Sequence, residues 1–226
     1  MDHDTSAGAL RALAARLRAL PPSCGPVRLV AVDGHAGSGK TTFAAALAAA
    51  LDGAPVVHLD DLATHEELFE WPGRLRAQVL EPLRRGETAR PAKYDWVARR
   101  FATTLRVPPA PVVLLEGVGA GRRELRPWLG ALLWLEVSRE VARERGERRD
   151  GPALAGFWAG WMRAQDAHFA DDPSEPFADL LVHQRPDGYE LEEQPTTTLL
   201  TGTVRHSPRS TATGAPRTPG GRPSAR

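Results

Sequence analysis

Cysteine is almost absent from the 226-residue chain: Cys24 stands alone, so no intrachain disulfide can form and no metal site built on several thiolates is available. Lysine is nearly as scarce, occurring only at Lys40 and Lys93 in a chain otherwise rich in arginine. No run of about 18 apolar residues exists, which argues against a membrane-spanning helix. The start, Met1-Asp2-His3-Asp4, is acidic and lacks the basic flank and apolar core of a secretion signal, so a cytoplasmic protein is expected. A net charge of +1 gives no overall pull toward nucleic acid or an anionic membrane. Hydrophobic residues at 42% and charged residues at 25% are ordinary for one globular domain with a substantial core.

What is present alternates. Ser6 to Leu20 carries Leu10, Leu13, Leu17 and Leu20 on one helical stripe, and Pro21-Pro22 ends it. Val27 to Asp33 is a short apolar run fit for a buried parallel strand, followed by a glycine-rich loop and an Ala-rich helix from Thr41 to Leu51. Further strands are expected at 55–60, 112–116, 132–137 and 178–182. Helices are expected at 73–85, with Leu75, Val79, Leu80 and Leu83 inward, after Ser138 as N-cap, and at 152–169. A small β-ribbon is placed around Tyr94-Asp95-Trp96. Strands alternating with helices predict an α/β fold: three layers around a parallel, roughly five-stranded sheet, with a helical lid at about 138–170. Residues 1–189 make this domain, residues 1–22 its N-terminal helix. From about Glu190 the chain turns Thr-, Pro-, Gly- and Arg-rich without apolar periodicity, and 190–226 is expected to be a disordered tail. Its deletion should then leave stability and activity nearly unchanged.

The strongest signal is Gly34-His35-Ala36-Gly37-Ser38-Gly39-Lys40-Thr41, a complete Walker A pattern that matches by chance on the order of once in a hundred chains of this length. Glycines let backbone N–H groups turn inward around phosphate oxygens, and the following helix aims its positive end at the same anion. Gly34, Ala36, Gly37, Ser38, Gly39, Lys40, Thr41 and Thr42 are therefore read as the ATP phosphate cradle. Lys40 reaches the terminal phosphates and the Thr41 hydroxyl serves Mg²⁺. A lysine kept amid so much arginine fits a place where a planar guanidinium cannot substitute for a compact ammonium.

Acidic residues close two of the expected strands, where parallel sheets place functional groups. Asp60, next to Asp61, suits a base that orients or deprotonates an acceptor hydroxyl; Glu116 suits support of Mg²⁺. No Asn-Lys-x-Asp segment is present to read guanine. Trp134, Trp158 and Trp161 are read as core, and His58 as structural.

In order along the chain, Gly34 to Thr42, Val57-His58-Leu59-Asp60-Asp61, Tyr94-Asp95-Trp96, Leu115-Glu116-Gly117-Val118, Arg145 with Arg149-Asp150, and Ala178 to Val182 resemble the uridine kinase family of P-loop proteins. The resemblance implies Asp60 as catalytic base, Glu116 at Mg²⁺, Tyr94 near the acceptor, and Arg145 and Arg149 in a lid over the phosphates. Arginines there offset charge on the transferring group. Their competing reading is a solvated helix face paired with Glu140, Glu144 and Glu147.

Two departures lie on the acceptor side. The family's histidine five residues after the tyrosine is here Arg99, and residues 62–72 lack its usual Phe-Tyr. A forked, permanent cation at Arg99 would favour an anionic acceptor over uridine. The expectation is a small-molecule kinase using ATP and Mg²⁺, with no nucleic-acid or membrane partner. The acceptor is left open among nucleoside, sugar, vitamin precursor and nucleoside monophosphate, and a non-catalytic ATP-binding regulator stands as the third reading.

Overall fold

The computed structural model describes residues 3–194, with side chains from Gly8 onward. Its elements are helix α1 (His3–Ala19), strand β1 (Arg28–Asp33), α2 (Lys40–Ala50) and β2 (Val56–His58). A helix then opens as α3 (Pro72–Leu75), widens through a π turn (Arg76–Leu80) and finishes as α4 (Glu81–Arg84). Strands β3 (Ala92–Asp95), β4 (Arg100–Thr104), β5 (Val112–Glu116) and β6 (Ala131–Glu136) follow. Helices α5 (Arg139–Asp150) and α6 (Ala155–Asp171) precede β7 (Leu180–Arg185) and β8 (Gly188–Glu193).

Six strands, not five, form the main sheet, in the order β2-β5-β1-β6-β7-β8. The first five are parallel and β8 returns antiparallel to β7. Side chains alternate across β1: Leu29 and Ala31 join the core under α3 and α4, Val30 and Val32 the core under α1 and α2. A sheet buried on both faces by helices is the three-layer arrangement that the alternating pattern demanded.

The ribbon around Tyr94 is the β3–β4 hairpin. Leu75, Val79, Leu80 and Leu83 are all fully buried. The π turn lies just ahead of Pro82, whose ring would collide with the preceding carbonyls of a regular helix. Ser138 caps α5 by accepting from the Val141 N–H at 3.3 Å.

The tail boundary needs correcting. Glu190 to Glu193 belong to β8, where Leu191 packs on the core and Glu193 meets Arg16 at 2.6 Å. The sequence missed this strand because its residues alternate weakly, with acids on the outer face. Residues 195–226 lie outside the described residues. Removing everything after Gln194 is expected to leave the melting temperature within about 1–2 °C of the full chain, whereas a cut at Glu190 lowers it visibly by taking most of an edge strand. Thermal unfolding of the two truncations checks this.

Candidate active site

The glycine loop leaves β1 at the point where strand order reverses, the place in an open parallel sheet where a crevice forms. Gly37 and Gly39 take φ of 87° and 90°, conformations that side chains rarely adopt. A Cβ on Gly37 would lie 2.0 Å from the Ala142 carbonyl oxygen, so helix α5 rests directly on the loop. Helix α2 begins at Lys40, which puts Lys40 and Thr41 in its first turn, with N–H groups facing the loop.

Lys40 is buried, and its ammonium donates to the His35 carbonyl at 2.9 Å. Burial pulls its pKa down, while Glu116, Asp33 and Asp60 oppose that shift. A buried cation of this kind is best stabilised by a neighbouring anion. Ser38 Oγ, also buried, has no hydrogen-bond partner among the described residues. The cradle, the buried ammonium and this idle hydroxyl all fit a bound phosphate chain.

Glu116, at the end of β5, gathers two partners. The Thr41 hydroxyl donates to its Oε2 at 3.3 Å, and His58 Nδ1 approaches the same oxygen at 2.6 Å. The Glu116 bond raises the His58 pKa above its usual value. His58 therefore braces the site and is more than a packing residue; only its register beside Glu116 across β2 and β5 reveals this. Among the described residues no group of three or more His, Cys, Asp or Glu could hold a metal by itself. Thr41 with Glu116 is a partial set of oxygen donors, which suits Mg²⁺ completed by phosphate and water.

Asp60 and Asp61 separate cleanly. Asp61 is buried and pairs with Lys93 at 3.1 Å, which explains the second lysine. Asp60 instead lines a cleft of about 590 Å³, together with Gly37, Gly39, Lys40, Thr41, Glu116, Arg145 and Arg149. Its carboxylate is open to that cleft but ringed by protein, and this crowding, with Glu116 nearby, raises its pKa.

The arginine-rich helix divides its arginines between two faces. Arg139 bonds Asp166 of α6 and Arg143 pairs with Glu147 at 2.8 Å, both away from this cleft. Arg145 and Arg149 face the cleft. Arg145 donates to Gln184 Oε1 at 2.7 Å, and Arg149 lies against Asp150 at 2.6 Å. Trp158 reaches Asp150 as well, at 3.0 Å, and its ring crosses α5 at Gly146, where a Cβ would sit 2.2 Å from it. Trp158 and Trp161 are buried as expected but also form a wall of the cleft. Trp134 is core.

Two acceptor-side expectations change. Tyr94 is buried beneath the cleft, with its hydroxyl 3.0 Å from His65 Nδ1, so it supports a cleft residue and does not line the cleft itself. Arg99 sits at the hairpin turn with φ 54° and pairs with Glu66 at 2.8 Å, both side chains largely in solvent. Arg99 is thus occupied with Glu66 and is not among the residues that line the cleft. Sequence reasoning missed His65, Trp96, Val97, Leu154 and Phe157, which line the same cleft. Only proximity in the chain to Asp60 and Tyr94 could have pointed to the first three.

Asp33 was also missed. Buried at the end of β1, it accepts from the N–H groups of Gly34, Gly119 and Gly121 at 2.7–2.9 Å, tying the glycine loop to the turn after Glu116.

Parallel sheet, glycine loop and the helix that follows it together make a P-loop α/β architecture. Solved structures agree on that fold. A protein of Bacillus stearothermophilus, named as a candidate uridine kinase, is 19% identical with a TM-score of 0.57, over 77% of this chain and 97% of the other. A protein of Silicibacter sp. TM1040, provisionally named a fructose transport system kinase, is 26% identical with a TM-score of 0.50, over 69% and 88%. The chain is thus uridine-kinase-like in fold, as its motifs implied. No protein-family profile and no curated protein matches its sequence.

Proposed function

We propose that the protein transfers the γ-phosphoryl group of ATP to a hydroxyl of an uncharged small molecule. The observation that carries this is the single cleft in which a buried Lys40 under the glycine loop and an open Asp60 stand beside an aromatic wall. The loop N–H groups and Lys40 hold the phosphates, and Arg145 and Arg149 neutralise charge from the lid. Thr41 and Glu116 would hold Mg²⁺, which supplies charge neutralisation and alignment of the phosphates when bound. Asp60 takes the proton of the acceptor hydroxyl. An intact base argues against a purely regulatory ATP binder.

An anionic acceptor loses its support once Arg99 points outward, because the cations lining the cleft are Lys40, Arg145 and Arg149, all around the loop and lid. No helix among the described residues is long and apolar enough to cross a membrane, and we place the enzyme in the cytoplasm, where ATP is at hand.

ADP release with Mg-ATP is the test, against uridine, pyridoxine, D-fructose and uridine monophosphate. Acceptor-dependent release with a neutral acceptor, abolished by EDTA, is expected. ATP binding with no acceptor-stimulated release would favour the regulator, and preference for the monophosphate would restore the anionic reading.

A further inference from the structure

The half of the cleft away from the glycine loop is unusually short of polar groups. Trp96, Val97, Leu154 and Phe157 line it, and Val97, Leu154 and Phe157 are among the few large apolar side chains left exposed in the described residues. Apolar surface collected at one cleft marks a site that something covers. His65 contributes a polar ring to this part of the lining.

Two elements besides its own loop, the β3–β4 hairpin and α6, converge on His65. Its ring lies 4.9 Å from Trp96 and 6.3 Å from Phe157, and Trp96 stands 5.7 Å from Phe157. Trp96 is itself anchored, its indole N–H donating to the Asp60 carbonyl at 3.3 Å, so the cage is tied to the backbone of the base. The Arg99–Glu66 pair fastens the residue after His65 to the hairpin turn. The loop carrying His65 is thus held from both sides.

Tyr94 sets the chemistry of the ring. It is 3% exposed, and among the described contacts its hydroxyl meets only His65 Nδ1, at 3.0 Å. A buried O–H left without an acceptor is costly, so the hydroxyl donates and Nδ1 accepts. The imidazole proton then resides on Nε2, on the ring edge away from Tyr94. The result is one fixed N–H donor amid aromatic faces.

We propose that His65 is the specificity-determining contact for the acceptor, its Nε2–H donating to a carbonyl oxygen or ring nitrogen of a flat, uncharged molecule held against Trp96 and Phe157. This rests on the phosphotransferase reading for what is then done to that molecule, but not for its binding. Tyr94 and Arg99 are positioning residues: one fixes the tautomer, the other the loop. The sequence departure at Arg99 is thereby offset, since a histidine from another segment supplies the ring donor.

The test measures binding of uridine, pyridoxine and D-fructose by calorimetry with a non-hydrolysable ATP analogue present, alongside KM and kcat. His65→Phe keeps an aromatic ring and loses the donor. At least one flat probe is expected to bind the unmodified protein, and to bind His65→Phe about tenfold or more weakly, as the loss of one buried hydrogen bond implies. The loss should appear in the KM for that probe as well as in its affinity, while nucleotide affinity stays constant. Tyr94→Phe should weaken the same probe several-fold by freeing the tautomer. If His65→Phe also loses nucleotide binding, His65→Gln decides, because its carboxamide retains a donor and should recover the flat probe. Flat probes that bind His65→Phe as well as the unmodified protein, or that bind neither, overturn the assignment. Phosphorylation of D-fructose alone, untouched by His65→Phe, overturns it while leaving the phosphotransferase standing. His65-dependent binding of a flat probe with no transfer to any acceptor upholds His65 and removes the phosphotransferase instead.

Discussion

Lys40→Ala is expected to reduce ATP-dependent turnover by at least about 10²–10³-fold, the scale of losing one charged clamp on a transferring group, while the protein stays folded. Folding should survive because the ammonium is a buried cation whose pKa burial already lowers, so its removal relieves as much as it costs. Its one hydrogen bond, to the His35 carbonyl at 2.9 Å, closes the loop on itself and can be replaced by water in the cleft. Lys40→Arg should be nearly as inactive. A planar, forked guanidinium differs in shape and reach from the compact ammonium that the loop holds against the His35 carbonyl. Steady-state kinetics with thermal unfolding checks both variants, and near-normal activity in purified Lys40→Ala would remove the phosphate-cradle assignment.

The glycine loop was legible in the sequence because its geometry is local. Strand, glycine loop and helix are consecutive, so spacing alone located Gly34 to Thr42, and the buried Lys40 lies where the motif put it. The parallel sheet was legible for a similar reason: strands such as Val112–Glu116 and Ala131–Glu136 are buried almost throughout and stand out as apolar runs. Strand β8 has no such run. The acceptor side was poorly legible because it is assembled from the loop after β2, the β3–β4 hairpin and the start of α6, which no local pattern links. Arg99 illustrates the failure. Counting five residues from Tyr94 assumes a particular turn, and a positive φ at that residue sends the side chain to Glu66. The paired arginines of α5 show the converse. Helical spacing left both readings open, and the seat of α5 on Gly37 puts Arg145 and Arg149, not Arg139 and Arg143, at this cleft.

Asp60→Asn is expected to lower kcat by about 10²-fold or more with little change in ATP affinity, because a general base is lost and the phosphate cradle is not. Asp61→Asn serves as the internal control. Asp61 is buried against Lys93 and does not line the cleft, so its loss should weaken local structure and spare kcat. The pH profile sharpens the distinction. Crowding by protein and the adjacent Glu116 raise the Asp60 pKa, which disfavours the ionised carboxylate needed to accept a proton. Activity should therefore fall as pH drops through that raised value, placing the acidic limb of the kcat profile above the ordinary carboxylate range. Lys40 works against the shift, so Lys40 variants with residual activity should show the limb moved higher still. In Asp60→Asn the residual activity should lose this limb. A profile unchanged in Asp60→Asn, or a larger kcat loss in Asp61→Asn, would move the base away from Asp60 and leave the nucleotide side of the cleft as it stands.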